Sequence, residues 1–308
     1  MSFIMIHMKK SILIFYIPIL LSGCAVLSNS QLQNINTFAT ATKNYTGFPG
    51  EVVKQGQQLQ YNNNILEASV LPDSGLIIQS LTKSKEQYKK GLDFSKKMDL
   101  SLRLIQDYTA LLVKLTSDSY TNDLGENTTE LCGSLNNAVA LFNSGFSTQI
   151  PPNVGEGISS IINIVGNRII KNKQAKALKK FIPIADTLIQ VTKDKLVEAL
   201  DDDLKNLIEN YKATFQTEYH TIVFNHIEKV DYNMLHFYVQ TNTDYENIEL
   251  LRQKCKDAAV KMALAHKELK NNITGKKKLM ELLHETKDFV TDVKGLYAYI
   301  KNPSPATE

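Results

Sequence analysis

The chain has 308 residues, 43% of them hydrophobic, with 35 basic and 32 acidic side chains, three cysteines and no tryptophan. That hydrophobic content belongs to a globular chain and not a disordered one, and the length suffices for one large core or two smaller ones. A formal net charge of +3 lacks the strong basic excess of a dedicated nucleic-acid binder, so no nucleic-acid partner is expected.

The first element is Met8 to Cys24, MKKSILIFYIPILLSGC. Lys9 and Lys10 give it a positive start, Ser11 to Leu20 an apolar run, and Leu21-Ser22-Gly23 a close just before Cys24. A bilayer-spanning helix needs about 20 apolar residues, and this run is much shorter and contains Pro18. A plain secretory signal shares the layout of charge, apolar run and small residues. Cys24 directly after Leu-Ser-Gly separates the two, and the stretch resembles the signal peptide and lipobox of bacterial lipoproteins. The resemblance is confined to this segment. It implies removal of residues 1–23, acylation of Cys24 with palmitate among the acyl chains, and attachment of the cell-envelope protein to a lipid bilayer. Ala25 in place of Asp implies, in a Gram-negative host, the outer membrane facing the periplasm. Ser2 to His7 add nothing to such a signal, which makes Met8 the expected start.

Residues 24–31 then read as the lipidated cysteine and a short tether. Leu32, Ile35, Phe38, Ala39, Thr42 and Tyr45 recur at three- and four-residue steps, the signature of one helix face. Gly47, Pro49 and Gly50 punctuate the chain before a polar helix over 51–69. Pro72-Asp73-Ser74-Gly75 reads as a turn. A long helix follows to about Ser117, with a break expected near Gly91 and its clearest stripe at Met98, Leu102, Ile105, Tyr108, Leu112 and Leu115. Asn127 with Glu130 resembles a helix-start capping arrangement, and Leu131, Leu135, Ala138, Phe142 and Phe146 mark the face behind it. Gly145 to Gly157, with Pro151-Pro152, is the strongest breaker. It divides a first helical half, 32–150, from a second, 151–301, with a flexible tail over 302–308.

Gly166 to Gly275 contains no other glycine, and Pro183 to Pro303 no other proline. Long helices need such stretches, since interior Pro costs about 3 kcal/mol and Gly about 1. One stripe runs Leu196, Leu200, Leu204, Leu207, Tyr211 and Phe215. A second runs Ile248, Leu251, Cys255, Ala258, Met262, Ala265 and Leu269. A third, after the Thr274-Gly275 turn, runs Leu279, Leu283, Thr286, Val290, Val293, Tyr297 and Ile300. The last two read as an antiparallel helical hairpin with heptad seams. Thr221 to Phe224 and Phe237 to Val239 carry strand-forming residues, yet helical flanks favour helix there too.

No zinc-protease, serine-hydrolase, Walker or CxxC motif occurs. Gly155 to Ser160 is glycine-rich but lacks the preceding strand that a phosphate cradle needs. His220, His226 and His236 lie near Glu218, Glu228 and Asp231, but no two of the histidines share a helix face. No metal and no cofactor is expected. Cys132 and Cys255 are small buried hydrophobes in one reading and a disulfide in the other. The most suggestive surface is Ile158, Ile161, Ile162 and Val165 followed by Arg168, Lys171, Lys173, Lys176, Lys179 and Lys180, with no acid among the basic residues. An apolar face backed by a basic one suits an anionic membrane or a partner; a bundle helix with a solvated face is the plainer expectation.

These features predict an all-α fold, an elongated bundle of long antiparallel helices with coiled-coil-like hairpins. They predict a lipid-anchored envelope protein that binds another envelope protein or acts as a structural module, with no catalytic residue. The alternative is a membrane-active protein, similar in layout to α-helical pore-forming toxins, which pack long helices around an apolar segment. An envelope enzyme stands last.

Overall fold

The structure, a computed structural model, describes residues 27–117, 123–165, 171–224, 231–274 and 284–301. Cys24, Arg168, His226, Glu228, Leu279, Leu283 and the tail therefore lie outside the described residues. Everything described is helix or short connection, with no strand among the described residues. The all-α expectation is met.

Helix α1 spans Asn29–Tyr45. It starts before the expected Leu32 because Ser28 and Gln31 form a capping box: the Ser28 hydroxyl accepts from the Gln31 N–H at 3.2 Å, and Gln31 Oε1 accepts from the Ser28 N–H at 2.9 Å. Leu27 is already buried, which shortens the expected tether. Helix α2, Phe48–Ser69, carries Pro49 in its first turn, where a missing N–H costs nothing. Helix α3, Ser74–Thr116, begins on the Asp73 carboxylate, which accepts from the N–H groups of Gly75 and Leu76. It runs 43 residues without the break expected at Gly91; one glycine costs about 1 kcal/mol, less than the packing of its buried Met98–Leu115 stripe supplies.

Helix α4, Asp123–Gly145, begins four residues before the expected Asn127 start. Helix α5, Pro152–Val165, starts inside the expected breaker, and it packs on both α4 and α6, Lys171–Glu198. Gly157 makes this approach possible, since a Cβ there would lie 2.7 Å from the Ile184 side chain. Helix α6 continues through a π-helical turn, Ala199–Leu204, into α7, Lys205–Tyr219, which ends in a second π-helical turn at His220–Phe224. Thr221 to Phe224 are thus helical, as are Phe237 to Val239 inside α8, Tyr232–Thr274. Helix α9 spans His284–Lys301.

The first π-turn explains one misread stripe. An extra residue in the turn advances the phase, so Ile208 is buried where Leu207 was expected, followed by Phe215 and Tyr219. Helix α9 is likewise rotated: Phe289 and Leu296 join Thr286 and Val293 in the core, while Tyr297 is exposed.

Cross-helix contacts fix the directions. Lys261 pairs with Asp292 at 2.8 Å and Tyr299 reaches Asn247 at 2.9 Å, so α8 and α9 run antiparallel. Asn36 donates to Thr116 at 3.2 Å and Gln174 to the Ser117 carbonyl at 3.3 Å. Gln31, Asn34 and Ile35 line a small cleft with Leu269 and Ile273. The start of α1, the end of α3, the start of α6 and the end of α8 therefore share one end, the basal end. Asn63 donates to the Tyr211 carbonyl at 2.8 Å and Gln216 to Asn242 at 2.9 Å. These contacts bring the end of α2, the end of α7 and the starts of α3 and α8 together at the opposite, apical end. Helix α8, with 43 residues, covers about 65 Å between them. The buried apolar residues form one continuous cluster from Leu27 to Leu296, so Pro151-Pro152 does not split the core.

Candidate functional site

The structure divides the composite face expected on α5 and α6. Ile158 and Ile161 are fully buried and Ile162 is half-buried, packed into the bundle and not presented outward. Val165 ends α5. On α6, Lys171, Lys176 and Lys180 are exposed, while Lys173 and Lys179 are half-buried and hold partners. The opposite side of α6 places Ala175, Ala177, Leu178, Phe181 and Ile182 in the core.

Cys132 and Cys255 are free buried thiols, which corrects the disulfide reading. Cys132 sits on α4, which packs on α3 and α5, whereas Cys255 sits on α8 beside α1, where the Tyr45 hydroxyl donates to its carbonyl at 3.0 Å. Burial pushes the Cys132 thiol up to about 11 and the Cys255 thiol higher still. His236 stacks on Tyr232 at the apical surface, with ring centroids 5.8 Å apart. No group of three metal-ligating side chains exists among the described residues. In Gly155 to Ser160 the two serine hydroxyls bond back to the carbonyls of Gly155 and Gly157, so they form no cradle.

The best-organised polar group is one that the histidine spacing did not reveal. His266, fully buried on α8, lies between Tyr108 of α3 and Asp186 of α6. Its Nε2 is 2.6 Å from the Tyr108 hydroxyl and its Nδ1 is 3.1 Å from Asp186 Oδ1; Lys270 donates to Asp186 Oδ2 at 2.6 Å. The hydrogen bond from His266, then Lys270, holds the Asp186 carboxyl well below the usual carboxylate range. Burial lowers His266, and burial with the nearby Asp186 charge raises Tyr108. These partners assign the tautomer: neutral His266 donates from Nδ1 to Asp186 and accepts at Nε2 from Tyr108. An Asp–His–hydroxyl line is the arrangement that activates a nucleophile, but here the hydroxyl is a fully buried phenol with its proton held high. The line is closed.

A second satisfied group surrounds the first π-turn. Arg252, 1% exposed, donates to the Leu200 carbonyl and Asp201 at 3.0 Å each and to Glu249 at 2.6 and 2.8 Å. Lys256 also reaches Asp201, at 3.1 Å. The guanidinium is therefore fully engaged in bracing α8 against the π-turn.

The apical end differs. Glu218 of α7 shares a hydrogen bond with Glu67 of α2, and burial followed by that neighbour pushes its carboxyl up to about 7. Close by, Asn63 Oδ1 and Glu218 Oε2 are buried without hydrogen-bond partners, and the buried Tyr245 hydroxyl interacts with the Asn63 side chain. The same end exposes apolar side chains: Val70, Leu76 and Ile78 around the α2–α3 connection, and Tyr232, Leu235 and Val239 at the start of α8. No described helix is long and apolar enough to cross a membrane. Compared with protein-family models, curated proteins and solved structures, the chain matches none.

Proposed function

We propose that this chain is a lipid-anchored, non-enzymatic module of the cell envelope that holds a partner-binding end away from the membrane. One observation carries the reading. The start of α1, the point nearest Cys24, lies at the basal end, while the exposed Leu76, Ile78, Tyr232, Leu235 and Val239 lie at the apical end, about 65 Å away. Isolated exposed apolar residues are ordinary, but several gathered at one end of a molecule mark an interaction surface. Of the groups with catalytic potential, His266 is fully buried, and the Asp186 carboxylate, 14% exposed, is tied to His266 and Lys270. The membrane-active alternative draws no support from Ile158 and Ile161, whose apolar surface is spent inside the bundle.

Two measurements test the reading. Cys24→Ala should abolish palmitate labelling in cells; undiminished labelling removes the anchor. A photocrosslinking residue at Tyr232 or Val239 should capture one recurrent envelope protein, identified by mass spectrometry, while one at Lys261, about two-thirds of the way along α8 towards the basal end, should not. Equal capture from both sites would contradict an apical binding end.

A further inference from the structure

The surface of α6 is basic over its first turns, with Lys171 at its first residue and Lys176 and Lys180 on its outer face. Lys171, Lys176 and Lys180 are exposed in its first turns, and no acid occurs on the helix before Asp186, which faces inward to His266 and Lys270. Its exposed acids, Asp194 and Glu198, come in the last turns, where they pair with Lys193 and Lys195, and Asp201 beyond them pairs with Arg252 and Lys256. Lys176 and Asp194 are separated by about 27 Å along the axis, beyond a screening length of about 10 Å. The acids therefore do not neutralise the lysines. The basic end is the basal one, because Gln174 bonds to Ser117 at the close of α3, beside the start of α1. The helix α5 that packs on α6 brings one acid, Glu156, and it lies near Ile184 by way of Gly157, away from the lysines.

The tether adds a distance limit. Leu27 is buried and Ser28 caps α1, so only Ala25 and Val26 separate Cys24 from the folded bundle, a reach of about 10 Å. A bundle held that closely has its basal end at the headgroups.

We propose that Lys171, Lys176 and Lys180 form a lipid-facing surface that rests on the anionic headgroups of the bilayer holding Cys24. This rests on the lipid-anchor reading and deepens it. The helix leans its basic turns onto the membrane, and because the acids of its last turns are paired with Lys193, Lys195, Arg252 and Lys256, attraction at the basal end alone sets the tilt. Attraction of a lysine to an anionic surface falls off within a screening length, which confines the effect to the first turns of α6.

The test uses the full-length protein purified from membranes, with its intact mass read first. The protein is then reconstituted into vesicles of neutral phosphatidylcholine, or of phosphatidylcholine with about one-third phosphatidylglycerol, and lysines are labelled with an amine-reactive reagent. Labelling of Lys171, Lys176 and Lys180 should fall about threefold or more in the anionic vesicles and recover in about 0.5 M salt, as charge screening requires. Apical Lys83 and Lys85 serve as constant references. A mass without acyl chains defeats the anchor and this proposal together. Acylated protein labelled equally in both vesicles defeats the proposal alone. Protection in cells that is absent from anionic vesicles assigns the face to a protein and overturns it as well.

Discussion

Two polar clusters in this bundle are built from the same materials and behave oppositely. Toward the basal end, Tyr108, His266, Asp186 and Lys270 form a line in which every inward-facing group has a partner. At the apical end, Glu67 and Glu218 sit together beside Asn63 and Tyr245, leaving Asn63 Oδ1 and Glu218 Oε2 buried without partners. The first cluster locks three helices in place. The second sets two carboxyls side by side where α2, α7 and α8 are joined by single hydrogen bonds, Asn63 to the Tyr211 carbonyl and Gln216 to Asn242, at the end where apolar side chains also reach the surface.

The clusters also differ in the sign of their pH response. Burial lowers His266, so below about 6.5 the unfolded chain binds a proton that the folded site refuses, and stability is lost as the pH drops. Glu218 is raised to about 7. Its contribution is present below the unfolded carboxyl value of about 4.3 and is lost as pH rises through about 7. Between those limits the two slopes oppose each other.

The hardest way to break the contrast is Asp186→Ala. It strands the buried His266 Nδ1–H and releases the half-exposed Lys270 ammonium to solvent, and it should cost about 2–4 kcal/mol by urea unfolding. A loss below about 1 kcal/mol would mean that the line contributes little. Tyr108→Phe keeps the ring but orphans His266 Nε2, and should cost about 1–3 kcal/mol in the same assay. At the apical end, Glu218→Gln should act the other way, gaining about 1 kcal/mol or less at pH 8 because both carboxyls are partly solvated. The same variant should lose stability more steeply than wild type from pH 7 to 5, since only the His266 slope remains; parallel curves would refute the opposing slopes. The smallest effect belongs to Tyr245→Phe, which removes a hydroxyl whose contact is the Asn63 side chain and should change the thermal midpoint by the equivalent of about 1 kcal/mol or less.

Much of the fold was legible because apolar spacing records helix faces. Every residue of the Met98–Leu115 and Ile248–Leu269 stripes is buried. The misses share a physical cause. Helix starts at Asn29 and Asp123 precede the first apolar residue, so caps and polar first turns decide them. The π-turn at Ala199–Leu204 carries a faint trace, the steps of four from Leu196 to Leu204, yet heptad logic continued to Leu207 instead of Ile208. The His266 cluster was invisible because Tyr108 and Asp186 stand 158 and 80 residues from His266. His266 itself sits beside a seam whose other members are apolar. The lysines of α6 were legible as a basic run, but their place at the basal end depends on contacts such as Gln174 to Ser117 that no local pattern encodes.

The two thiols give the molecule a built-in record of its own openings. Alkylation proceeds through the thiolate, and both Cys132 and Cys255 are buried with their protons held firmly, so neither reacts while its helix stays docked. Each alkylated thiol then counts one excursion from the native state. Cys132 reports departures of α4 from α3 and α5, and Cys255 reports departures of α8 from α1. Equal labelling rates mark a bundle that opens only as a whole; a faster Cys132 marks an outer pair of helices that peels away from the long helical frame.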